Sequence, residues 1–193
     1  RVLFRSTPRD VEHIIALYDG EIAYWDEQLG LLFKELDSLH LLDNTVIAVV
    51  ADHGEMFGEH GTWLHRTSLY EETLRVPLLI RYSGVISAGT VINTPIQSMD
   101  IMPTLLDLAG QPIPNSLDAL DLRSLLDGAL PAAGRLILSK IDAVTDTAHS
   151  SYWINPHFDL RSIRQNSNKL INKPEEPSAD ELYQLKPTSL YET

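Results

Sequence analysis

The chain has 193 residues, 44% of them hydrophobic, no cysteine and a formal net charge of −12. That is enough apolar material for one domain, or for one domain with a small appendage. The charge argues against nucleic acid, whose phosphates need clustered Lys and Arg, and the missing cysteine excludes disulfides, zinc–thiolate sites and a thiol nucleophile.

Nothing approaches the ~18 uninterrupted apolar residues of a membrane span. No charged-then-apolar leader follows Arg1, so a signal peptide is expected to be absent or to lie outside this chain. Thr7-Pro8-Arg9-Asp10 reads as a helix start, with Thr as N-cap, Pro in the first turn and an acid behind it. Apolar residues then recur in steps of three and four from Val11 through Ile15, Tyr18, Ile22, Trp25 and Leu29 to Leu39, which predicts one amphipathic helix of about 30 residues. Asp43-Asn44 is a turn.

Thr45 to Ala51 is a continuous apolar, β-branched run, the pattern of a buried strand in a mostly parallel sheet. It ends abruptly in Asp52-His53-Gly54-Glu55, at the carboxyl end of the strand, where open α/β sheets place their ligand sites. Ser68 to Leu74 predicts a short helix, and Val76 to Tyr82 a second strand with Pro77 at its start. Asp100 to Leu108 predicts a helix stopped by Gly110, and Leu117 to Leu126 a further short one.

From Arg135 short strand-like pieces appear: Leu136–Ile141, Ser151–Ile154, Leu160–Gln165, Lys169–Asn172 and Glu181–Leu185. The expected organisation is a partial doubly wound, mostly parallel α/β unit over residues 1–130 and a small antiparallel β subdomain over 131–193.

The chemistry concentrates between positions 53 and 65, where His53, His60 and His65 share a loop with Gly54, Gly58 and Gly61. A carboxylate and an imidazole at Asp52 and His53 suit a divalent cation. An Asp capping the next helix beside a partly buried His is the competing reading. Two ligands also make only half a site. His60, His65 and Arg66 could donate to an anion on the metal side; His60 is expected to face solvent, and His65, in Gly61-Thr62-Trp63-Leu64-His65, is favoured for function. Glu71, Glu72 and Arg75 are read as structural.

Three blocks carry a resemblance: Ala51-Asp52-His53-Gly54-Glu55 to Gly61, then Leu69-Tyr70-Glu71-Glu72, then Arg75-Val76-Pro77-Leu78-Leu79-Ile80. Together they resemble the sulfatases of the alkaline phosphatase superfamily. Tyr18-Asp19-Gly20-Glu21-Ile22, Ser98-Met99-Asp100-Ile101-Met102-Pro103-Thr104 and Glu181-Leu182-Tyr183-Gln184-Leu185 agree with that family's flanking elements, so the resemblance runs from about Tyr18 to Leu185. It implies an alkaline-phosphatase-like fold in which Asp52 and His53 ligate a divalent metal, usually calcium. His65 falls near the place where the family holds the sulfate or leaving oxygen, and Arg66, one position on, is the second candidate.

Sulfatases also carry a formylglycine nucleophile in a Cys/Ser-x-Pro-x-Arg motif. Ser6-Thr7-Pro8-Arg9-Asp10 has Asp where that motif needs Arg, and is read as a helix cap. The resemblance is therefore to the C-terminal portion of a sulfatase, inactive or nearly so alone. It implies a sulfated small molecule or glycan as the complete enzyme's substrate, and self-association through surface the other portion would cover. Two other readings stand beside it. One is a phosphodiesterase or phosphoethanolamine transferase of the same superfamily, using Mn2+ or Zn2+; the other is a non-catalytic binding domain derived from the fold.

Overall fold

The computed structural model describes residues 7–65, 68–129, 134–141, 159–174 and 177–185. It begins with the predicted long helix, α1 (Pro8–Ser38), and its start is a capping box: the Thr7 hydroxyl accepts from the Asp10 N–H, and the Asp10 carboxylate accepts from the Thr7 N–H. None of its residues is buried among the described residues, and the apolar stripe through Ile15, Tyr18, Ile22 and Trp25 stays largely exposed, with Tyr18 meeting one ring of the loop described below. The periodicity predicted which face is apolar. It could not say what lies against it.

β1 (Ile47–Val50) and β2 (Leu78–Arg81) pair antiparallel, with Val50 opposite Leu78 and Ile47 opposite Arg81. The run before Asp52 was expected to be buried in a mostly parallel sheet. Instead Val50 is 42% and Leu79 64% exposed, and the pair forms a two-stranded sheet among the described residues. The reason lies in the connection. A parallel return needs a crossover helix long enough to run back along the sheet, and the helix in this connection, α2 (Glu71–Leu74), is a single turn. The chain thus leaves β1 and re-enters β2 at the same end, and everything between is a loop held at that end.

After β2, a 3-10 turn over Ser98–Asp100 leads into α3 (Ile101–Leu108). The expected helix over Leu117–Leu126 is confined to α4 (Arg123–Leu126). Its upstream half is irregular, with the N–H groups of Leu120 and Leu122 taken by the Asp100 carboxylate and the Thr104 hydroxyl, at 2.9 Å each. Those bonds replace the i−4 carbonyls that a helix would use.

The C-terminal sheet is an antiparallel meander of β3 (Leu136–Ile141), β4 (Leu160–Gln165), β5 (Asn168–Asn172) and β6 (Glu181–Gln184). Four of the five predicted strands are present; Ser151–Ile154 lies outside the described residues. β4 and β5 turn through Asn166, whose φ of +56° a side-chain amide residue tolerates better than most. The fold class is thus α/β with an appended antiparallel sheet.

The buried apolar cluster sits where that sheet meets the loop between β1 and β2. Leu69 packs with Leu160 and Ile171, flanked by Tyr70, Leu74, Ile141 and Tyr183. Polar clamps reinforce the junction. Tyr70 and Tyr183 both donate to Glu181, which also accepts from Lys173. Burial and the Glu181 bond push the Tyr183 phenol up, so it stays neutral and a donor.

A second clamp fixes α3. Asp100 is fully buried and accepts two bonds of 2.7 Å from the Arg135 guanidinium, besides the N–H groups of Leu120 and Gln97. Burial pushes the Asp100 carboxyl up, but Arg135 and the two N–H donors outweigh it, holding the group below its ordinary value of 3.8. The stabilisation is therefore full above that ordinary value and is lost as pH falls through the lower, folded one. Acid titration of unfolding free energy is expected to show stability falling below about pH 4. Asp100→Asn should be less stable at neutral pH and show a flatter acid limb. An equally steep limb in that variant would assign the acid sensitivity elsewhere.

Candidate active site

Residues 51–65 and 68–77 belong to the connection that leaves β1 and re-enters β2 beside it. Three features make it rigid. Met56 is 1% exposed, and its sulfur accepts from the hydroxyls of Thr62 and Ser68. Phe57 and Trp63 form an antiparallel bridge, closed by the Leu64 N–H on the Met56 carbonyl. Gly58, at φ +112°, lets the Trp63 ring lie against its backbone, where a Cβ would stand 3.3 Å from the ring. The Tyr18 ring of α1 meets Phe57 edge-on at 5.2 Å, which joins the long helix to this loop.

At the loop's start, the turn is set by Gly54. Its N–H donates to the Thr73 carbonyl at 2.9 Å, so its backbone runs directly against α2. A Cβ there would stand 1.9 Å from the Glu72 carbonyl oxygen, a backbone atom that cannot rotate away. Gly54→Ala is expected to cost about 3 kcal/mol of stability, since overpacking against fixed backbone is relieved only by moving one segment. Thermal melting would register it. A variant as stable as the parent would mean the turn and α2 are not held together.

That turn presents Asp52 and His53 outward. Asp52 Oδ1 accepts from the His53 N–H at 3.0 Å, and the side chains are 89% and 41% exposed. His53 Nδ1 is 2.9 Å from the Gly54 carbonyl, which can only accept; Nδ1 therefore donates, and Nε2 is the nitrogen with a lone pair to offer. That Nε2 is 3.7 Å from Asp52 Oδ2. A carboxylate oxygen and an imidazole nitrogen side by side suit a divalent cation as a pair of donors. Among the described residues no cluster of three His, Cys, Asp or Glu side chains stands ready to hold a metal ion. The pair fits as part of a site.

His65 comes back to this pair from the loop's far side. Its ring stacks on His53 with centroids 3.7 Å apart and planes 21° from parallel, and its Nδ1 lies 2.9 Å from Glu55 Oε2. Three of the four predicted site residues, Asp52, His53 and His65, are thus gathered at one place, while Arg66 lies outside the described residues. They share the lining of an open cleft of about 2360 Å3 that also passes β2, α3 and β3.

His60 does not join them. It was expected to face solvent, but its ring stacks on Tyr70 at 3.8 Å and its Nε2 is 3.4 Å from Glu72 Oε1, with 18% of the side chain exposed. Its φ of +53° turns the chain so that the ring folds back onto α2. Glu71, read as structural, bonds Lys169 and Arg164 of the C-terminal sheet. Glu55 was missed, because a Glu after Asp-His-Gly gives no signal of its own until His65, ten positions on, is folded beside it.

The family model "Sulfatase" matches residues 3–111, and that for "N-sulphoglucosamine sulphohydrolase, C-terminal" matches residues 58–190. The ulvan-active sulfatase of Formosa agariphila is 38% identical over 112 residues, 57% of this chain and 22% of that protein. The N-acetylglucosamine-6-O-sulfatase of Bacteroides thetaiotaomicron is also 38% identical over 112 residues, 57% of this chain and 20% of its own length. A solved phosphonate monoester hydrolase, SpPMH of Silicibacter pomeroyi, superposes with a TM-score of 0.78 and 28% identity, covering 94% of this chain and 37% of that one. The matched stretch is thus about a fifth of each of these two curated relatives. Two family models, each matching more than half of the chain, place it in one group: it belongs to the sulfatase family.

Proposed function

We propose that these residues form part of a metal-dependent sulfatase that hydrolyses sulfate esters, with a sulfated small molecule or glycan as substrate of the full-length enzyme. The observation that supports the reading is the His65 ring stacked on His53 beside Asp52, the arrangement expected if His65 serves as an anion contact beside a metal-ligand pair. Asp52 and His53 hold a divalent cation, calcium, together with donors from outside these 193 residues. A bound cation supplies Lewis-acid stabilisation of the charge on the sulfate oxygens.

His65 contributes a ring nitrogen, Nε2, to the transferred group or the leaving oxygen, with Nδ1 already engaged by Glu55. Arg66, next in sequence, is the alternative candidate for that anion contact. The nucleophile comes from outside these residues, which hold no Cys and in which Thr7 caps α1 with Pro8 in its first turn.

The similarity to a phosphonate monoester hydrolase favours one second reading, a phosphonate or phosphate-ester hydrolase on the same scaffold with manganese or zinc. Assay of the full-length enzyme on an aryl sulfate and on the matching aryl phosphonate and phosphate diester, with each metal in turn, separates the two. Preference for the sulfate ester by about 100-fold or more in kcat/KM, some 2.7 kcal/mol of transition-state discrimination, supports the sulfatase reading. The reverse preference supports the second, and no turnover of any ester removes both and leaves a binding domain.

A further inference from the structure

Glu55 is a partly buried acid with a single visible task. Its side chain is 18% exposed, its Oε2 bonds His65 Nδ1 at 2.9 Å, and its Oε1 is buried with no hydrogen-bond partner among the described residues. A carboxylate so placed is a poor stabilising device, because desolvating one charge for a single hydrogen bond returns little net free energy. Buried polar groups left partly unsatisfied ask for an explanation, and a role in the site is one.

The geometry supplies that role. A carboxylate accepts, so Nδ1 donates to it, and this fixes which ring nitrogen faces away. The same bond sets the ring plane, holding it within 21° of parallel to His53, whose own Nδ1 is tied to the Gly54 carbonyl. Each of the two stacked imidazoles therefore has its Nδ1 bound from the loop side and its Nε2 left for the site.

We infer that Glu55 is a positioning residue: through Nδ1 it holds the His65 imidazole in one tautomer and one orientation, so that Nε2 meets the sulfate. This rests on the reading of His65 given above. The supporting chemistry is general, since an imidazole that acts through one nitrogen is commonly oriented by a carboxylate on the other, and losing that carboxylate typically costs 10–100-fold.

The test uses the full-length enzyme with calcium and an aryl sulfate, in four forms: parent, His65→Ala, Glu55→Gln and Glu55→Ala. Selective 15N-histidine NMR reads the His65 tautomer in the last two and in the parent, independently of turnover. The expected result is that His65→Ala loses activity and that Glu55→Ala lowers kcat by roughly 10–100-fold. Its KM and calcium affinity should move little, and the His65 signal should leave the Nδ1–H form.

Glu55→Gln, whose amide oxygen still accepts and which keeps the side-chain shape, should retain more of both. If His65→Ala is inactive while Glu55→Ala keeps kcat within about 2-fold, or keeps the parent tautomer, Glu55 does not position the ring. If His65→Ala itself retains activity, the reading of His65 fails first, and this inference with it. Melting of Glu55→Ala at the parent temperature excludes a general loss of fold as the cause.

Discussion

Glu71→Ala is expected to lower the unfolding free energy by about 3–5 kcal/mol, the range for removing one member of a buried ion pair. Glu71 is 8% exposed, and its two oxygens bond Lys169 Nζ and Arg164 Nη1, each at 2.7 Å. Lys169 is 1% exposed, so its ammonium has given up water for this carboxylate. Replacing the acid by a methyl removes the main counter-charge while the ammonium stays inside, which is costlier than never having buried the pair.

The consequence reaches the site. Glu71 opens α2, and α2 is the segment against which Gly54 packs, so loosening the sheet from α2 loosens the turn that presents Asp52 and His53. Urea denaturation would measure the loss. A change below about 1 kcal/mol would mean that the pair is solvated and behaves like a surface ion pair. The double variant Glu71→Leu with Lys169→Met should recover much of the stability, because an apolar pair of similar volume needs no counter-charge.

Asp52→Ala in the full-length enzyme is expected to reduce kcat by about 1000-fold or more, through loss of the cation and the charge stabilisation that it supplies. Stability should change by less than about 0.5 kcal/mol, because the side chain is 89% exposed and its hydrogen bond is to the N–H of its own neighbour, His53. Function and fold separate at this position. Calorimetric titration with calcium and a thermal melt of the same preparation would test both halves. Parent-like turnover would remove Asp52 from the metal site, and a large drop in melting temperature would make it a structural residue.

How much of this was legible beforehand differs from element to element. The start of α1 was readable because Thr7, Pro8 and Asp10 act on one another within a single turn. The strands Leu136–Ile141 and Leu160–Gln165 were placed to the residue, because alternation and bounding turns are local features. The helix expected over Leu117–Leu126 was lost in its first half to Asp100 and Thr104, from outside the segment. His60 was misjudged for a related reason: a positive φ and the Tyr70 ring, not its own neighbours in sequence, decide where it points.

The sequence by itself determined the local grammar and the family. Capping boxes, apolar periods and the Asp52-His53-Gly54-Glu55 block are short-range patterns, and a short-range pattern is complete within the residues that carry it. Only the tertiary structure decided that β1 and β2 run antiparallel, that His65 stacks on His53, that Glu55 bonds the His65 imidazole and that Glu71 bonds the buried Lys169 ammonium. Those contacts join residues from 10 to 98 positions apart. Pairing over such distances depends on how loops close and which charges share one dry volume, and no window of neighbouring residues carries that information.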